Sequence, residues 1–171
     1  MATTYTAIAE VTLGSAAANI EFTSIPQTFT DLVLKISARN ASTGGVGIRC
    51  QLRFNGAAND NNLSFRRLYG DGSSTGSDTG STGHVAWMPD GSATANGFSN
   101  IEVYIPNYAG STNKSFSADG VMENNATQAY MGLFADLWSD TSAITSIKIF
   151  AENGQNLVQH SSATLYGIKN S

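Results

Sequence analysis

Apolar and polar residues alternate along most of this chain. Leu32, Leu34 and Ile36 fall on one side of an extended segment, with Val33, Lys35 and Ser37 on the other. Ile101, Val103 and Ile105 face away from Glu102 and Tyr104, and Ile147 and Ile149 alternate with Ser146 and Lys148. A period of two marks strands with one buried face. The pattern predicts strands near 5–13, 18–23, 30–39, 47–54, 63–69, 83–88, 99–106, 114–122, 127–138, 144–151 and 156–168. No segment shows a convincing helical period.

Turn-forming clusters separate these runs, among them Asn40 to Gly45, Asn55-Gly56, Asp90-Gly91, Asn107 to Thr112 and Glu152-Asn153-Gly154. Asn-Gly and Asp-Gly accept the positive φ angles of tight turns. Many short strands at this spacing predict an all-β sandwich or barrel. Their number in one chain of 171 residues favours an antiparallel β-sandwich of jelly-roll type, occupying 1–171 as a single domain. Two segments stand out. Ala126 to Trp138 carries Tyr130, Met131, Leu133, Phe134, Leu137 and Trp138, a spacing that also suits a helix. Read as a strand, it is apolar on both faces, so one face would meet the core and the other a neighbour. Gly70 to Gly83 is rich in Gly, Ser and Thr and reads as the longest irregular loop, a functional or mobile segment.

Composition narrows the function classes. Charged residues are only 13% of the chain, against an ordinary ~25%. The net charge is −4, and the nine basic residues form no stripe. Nucleic-acid binding and attraction to anionic membranes both rely on clustered Lys and Arg, so neither is expected. No apolar run is long enough to span a membrane as a helix. Met1-Ala2-Thr3-Thr4 lacks the basic start of a secretory signal, so synthesis and folding in a cytoplasm are expected.

Little here points to catalysis. Cys50, the single cysteine, shares a strand face with Ile48, Leu52 and Phe54 and reads as a buried small hydrophobe. His84 and His160 lie far apart and read as surface or half-buried strand residues, without the convergent spacing of a zinc site. Asp71 and Asp78 flank the Gly-Ser loop, and Asp60 follows Asn59, without the dense acidic spacing of a calcium loop. No nucleophile elbow, phosphate-cradling loop or marked carboxylate pair is present. The expectation is a non-enzyme with no metal and no cofactor.

The more suggestive groups are aromatic and basic. Tyr104 lies opposite Val103 and Ile105, Tyr108 follows Asn107 in a turn, and Trp87 precedes Met88-Pro89. Exposed aromatics on a sandwich stack on sugars or anchor interfaces, although packing into the core is the commoner use. Arg66 and Arg67 point to opposite faces of one strand, so one must meet a buried partner, an edge or another subunit.

The segments Ile25-Pro26-Gln27-Thr28-Phe29-Thr30-Asp31-Leu32-Val33-Leu34, Leu52-Arg53-Phe54-Asn55-Gly56, Arg66-Arg67-Leu68-Tyr69-Gly70, Ile101 to Ser111 and Ala163 to Ile168 together resemble small single-domain virion proteins of tailed bacteriophages, cyanophages included. The resemblance spans nearly the whole chain and carries no catalytic motif. It implies residence in the virion, as a capsid decoration or cement protein that binds the major capsid protein or other virion proteins, with a homotrimer as the expected assembly. Residues 1–15, as an arm, and the 70–83 loop are then the candidate capsid contacts. The alternative within the same group is a receptor-binding or tail-fibre module for host glycans, in which Trp87, Tyr104, Asn107 and Tyr108 would stack and hydrogen-bond.

Overall fold

The structure is a computed structural model in which residues 4–45, 47–124 and 128–169 are described. It contains two antiparallel sheets and, among the described residues, no α-helix. The strands are β1 (Tyr5–Thr12), β2 (Asn19–Phe22), β3 (Asp31–Ser37), β4 (Gly47–Phe54), β5 (Leu63–Gly70), β6 (Thr75–Gly80), β7 (His84–Pro89), β8 (Asn100–Ile105), β9 (Lys114–Glu123), β10 (Ala129–Trp138), β11 (Ile147–Ala151) and β12 (Ser162–Ile168).

One sheet has the order β1-β12-β3-β8-β9-β10-β5-β6, the other β2-β11-β4-β7. With the pairs β5–β6 and β9–β10 set aside, eight strands remain, in the orders β1-β12-β3-β8 and β2-β11-β4-β7. This is the two-Greek-key arrangement of a jelly roll, as the sequence pattern predicts. The two extra pairs join each other through β10 and β5, in register from Met131↔Gly70 to Trp138↔Leu63. Together they extend one sheet by four strands beyond β8.

Alternation explains the layers. In β9 every second residue from Lys114 to Met122 is buried and every other one exposed. The inward faces of β2, β4 and β11 contribute Ile20, Phe22, Leu52, Phe54, Ile147 and Ile149. They meet Leu34, Ile36, Ile101, Val103 and Leu165 from the long sheet. Cys50 is buried in this core, and burial pushes its thiol up to about 12.

The segment with ambiguous periodicity is a strand, β10; Thr127, the first residue expected in it, lies outside the described residues. Three expectations need correction. The 70–83 segment is not an irregular loop, because Thr75–Gly80 pairs with Phe65–Gly70 as β6. Only residues 71–74 form the turn, where Asp71 Oδ1 accepts the Ser73 and Ser74 N–H groups at 2.9 and 2.7 Å. The strand expected near 5–13 is the edge strand β1, and its pairing with β12 ties down the segment also expected to serve as an arm over 1–15; residues 1–3 lie outside the described region. The last strand begins at Ser162 rather than 156, because His160 takes φ 71° and breaks the extended path. Asn55 and Gly56 do adopt positive φ, but their turn carries the chain from the short sheet toward the long one and makes no hairpin.

Strand β6 has no large apolar side chain. A Cβ at Gly76 would lie 2.7 Å from the Tyr69 ring, and one at Gly80 would lie 2.5 Å from the Phe65 ring. The β5 rings therefore lie over the bare glycines of the edge strand, a packing that pins its register.

Candidate functional site

The aromatic candidates do not form a binding platform. Trp87 is buried, stacked on Tyr130 at 5.0 Å and 14°, and bordered by Tyr69, His84 and Phe134. Tyr108 is wholly buried, and its hydroxyl donates to the Pro26 carbonyl. Neither ring is open to a ligand. The physical reason is local: β7 is buried along its whole length, and the turn after β8 tucks Tyr108 under the sheet. Tyr104 and Asn107 are exposed but share a structural partner. Tyr104 Oη donates to Asp31 Oδ2 at 2.7 Å, which raises its pKa, and the Asn107 N–H donates to Asp31 Oδ1 at 2.9 Å. Asn107 takes φ 48°, as a turn residue does.

The two arginines separate as alternation requires. Arg66 is exposed on the outer face of the long sheet. Arg67 is only 6% exposed. Its Nε and Nη2 donate to Asp78 at 2.5 and 2.6 Å, and Nη1 donates to His84 Nδ1 at 2.9 Å. The guanidinium also lies 4.5 Å from the Trp87 ring centre and 5.0 Å from that of Tyr69. A bidentate, ring-stacked guanidinium is a strong, geometrically specific contact. It ties edge strand β6 to β5 and both to β7 of the facing sheet.

His84 is fully buried, not the surface or half-buried residue expected. Pairing of β4 with β7 passes from Cys50↔Ala86 to Gln51↔His84, so an extra residue bulges at Val85 and turns His84 inward. Burial, then the charges of Arg67 and Arg49, lower its pKa to about 3. The ring is therefore neutral, with Nε2–H donating to the Ala86 carbonyl at 2.8 Å and Nδ1 accepting from Arg67. Both nitrogens are occupied, so the ring has no site left for proton transfer to a substrate.

The acidic candidates are likewise engaged. Asp78 is held by Arg67, and the Ser73 and Ser74 N–H groups hold Asp71 down to about 2. Asp60 accepts from Arg53 Nε at 2.7 Å. Among the described residues no group of three His, Cys, Asp or Glu side chains is arranged to hold a metal.

Two features escape residue-by-residue reading. Asp136 faces inward on β10, 2% exposed, with no hydrogen-bond partner for either carboxylate oxygen among the described residues. Its cross-strand neighbours are Phe65 and Phe116, and burial raises its pKa to about 8. The second feature is on the opposite face of the same four strands. Leu68, Val121, Met131 and Leu133 are 63, 49, 62 and 61% exposed. They are direct cross-strand neighbours, Leu133 beside Leu68 and Met131 beside Val121. A groove of ≈ 670 Å³ runs over them, edged by Ser77, Thr75 and Asp119. The two-sided apolar pattern of 126–138 foreshadows this face; Leu68 and Val121 join it only through the strand order.

No protein-family model matches the chain, and neither a curated protein nor a solved structure is found to match it.

Proposed function

We propose that this chain is a structural protein of a tailed-phage virion, a non-catalytic jelly-roll module that decorates and cements the capsid. The observation that carries the reading is the outward apolar row of Leu68, Val121, Met131 and Leu133. These residues lie on a rigid four-stranded extension, and a contiguous exposed apolar patch is a feature of interaction surfaces. The resemblance to small phage virion proteins supplies the setting. Adhesion then works by burying sheet faces against the major capsid protein and neighbouring subunits, with low surface charge limiting repulsion between crowded copies.

Several groups that would serve chemistry are already committed inside the fold. Cys50 is buried, His84 is neutral and doubly bonded, and Arg67 is locked to Asp78. The glycan reading loses its two principal stacking groups, because Trp87 and Tyr108 are interior. Quantitative mass spectrometry of purified particles tests the proposal. A decoration protein is present at a copy number comparable to that of the capsid protein, whereas a copy number comparable to that of tail fibres refutes it.

A further inference from the structure

Among the described residues nothing covers the outer face of the extension, and its layout says what fits it. Strand β10 is the middle of the five strands β8-β9-β10-β5-β6 and carries Met131 and Leu133 outward. The rows across this face are set by the register. Val121, Met131 and Gly70 form one row, Asp119, Leu133 and Leu68 the next, and Ser117, Ala135 and Arg66 the third. Arg66 on one side of β10 and Asp119 on the other are both exposed, and among the described residues neither has an ion pair or hydrogen bond from its side chain. The face therefore has an apolar floor with opposite, solvent-exposed charges on its two flanks.

We infer that the occupant of this face is a second copy of the same chain, packed sheet to sheet about a twofold axis that runs along β10. This deepens the adhesive reading above and rests on it. A twofold contact is self-complementary, so whatever lies left of the axis in one copy meets what lies right of it in the other. Rotation about β10 puts Met131 on the second copy's Met131 and Leu133 on its Leu133. It lays β5 over the second copy's β9. Val121 then sits over the second copy's Gly70, where no side chain competes for space, and Arg66 comes within one residue pair of the second copy's Asp119. Arg66 lies over the second copy's Ser117 and Asp119 over its Leu68, so the Arg66–Asp119 pair forms on the diagonal between adjacent rows, two pairs in all, one on each side of the axis.

The size is sufficient. Five strands about 4.8 Å apart span about 24 Å, and six residues at about 3.4 Å span about 20 Å. That is roughly 500 Å² per copy and roughly 1,000 Å² for the pair, the lower bound of a specific interface. The contact is expected to be reversible and concentration-dependent. It differs from the threefold assembly that the resemblance implies, since a threefold ring joins two different surfaces.

Sedimentation equilibrium on the purified chain over a wide concentration range tests the inference. A monomer–dimer equilibrium is expected. Leu133→Lys, which opposes two cations on the axis, should weaken it at least about tenfold. Arg66→Asp should also weaken it, and adding Asp119→Arg should restore it, because the double swap re-creates both pairs. Leu133 and Arg66 are exposed, and an unchanged circular-dichroism spectrum confirms that the variants fold. A monomer at all concentrations, a trimer, or a dimer indifferent to Leu133→Lys overturns the inference. Incorporation of the same variants into particles separates this result from the virion reading. A monomer whose Leu133→Lys variant fails to incorporate removes only the self-pairing. A wild-type dimer that is absent from particles leaves the pairing standing and removes the virion role.

Discussion

The orphan carboxyl of Asp136 makes the sharpest prediction about stability. Its neighbours on β5 and β9 are Phe65 and Phe116, and no donor among the described residues reaches it. Burial raises its pKa from 3.8 to about 8, so the native state keeps a proton that the unfolded chain releases near pH 4. Stability falls with pH wherever the native state binds more protons than the unfolded one. Between about pH 4 and pH 8 the slope from this group is about 1.4 kcal/mol per pH unit, and the loss levels off above the folded pKa. The difference across that window is at most ~6 kcal/mol, bounded by the cost of any local opening that lets water reach the carboxylate. Asp136→Asn retains size and polarity but cannot ionise. Urea unfolding of both proteins, from pH 4 to pH 9, isolates the effect from the other carboxylates by difference. The variant should match the wild type at pH 4, exceed it by ~4 kcal/mol at pH 7, and stay ahead by a constant amount above pH 8. A difference that stays within ~1 kcal/mol at every pH would falsify the assignment of a buried, unpaired acid.

Two further outcomes follow from the interior. Arg67→Met removes the pair with Asp78 and leaves His84 Nδ1 without its donor, so unfolding free energy should drop by about 3 kcal/mol; a loss under ~1 kcal/mol would mean that the cluster contributes little. The Cys50 thiol, buried and pushed up to about 12, should resist alkylation at neutral pH in the native protein and react fully once unfolded; rapid native labelling would contradict the core packing.

The sandwich was legible because half-buried strands must alternate. Leu32 to Ile36 and Ile101 to Ile105 show the expected faces, although Val33, on the outward side of β3, is also buried. The missing strand, β6, has no apolar alternation to read. Its six residues are Thr, Gly, Ser and Asp, held by backbone pairing and covered by rings from β5. Position in the layers was harder to read than existence of the strands. Trp87 looks like a surface aromatic only if β7 has an open face, and it has none. Asp136 looks like a solvent residue by type, yet the register of β10 places it between two phenylalanines.

The apolar face was half visible. The pattern of 126–138 shows two apolar sides, and Met131 and Leu133 fall on the side away from the core. Leu68 and Val121 lie far from them in sequence and join only because β5 and β9 flank β10. The adjacent Arg66 and Arg67 point to opposite faces, as strand alternation requires. The structure adds what each face offers: a built pocket of Asp78, His84 and rings inside, and outside an exposed charge with no ion pair among the described residues.

The proposed adhesive role within a phage particle is tested most directly by a density map of the intact virion. The two-sheet jelly roll is expected at the outer surface of the capsid shell, repeated with the shell lattice, with the Leu68–Val121–Met131–Leu133 face covered by protein. Density for the chain confined to the tail tip, or a shell position with that face open to solvent, would contradict it.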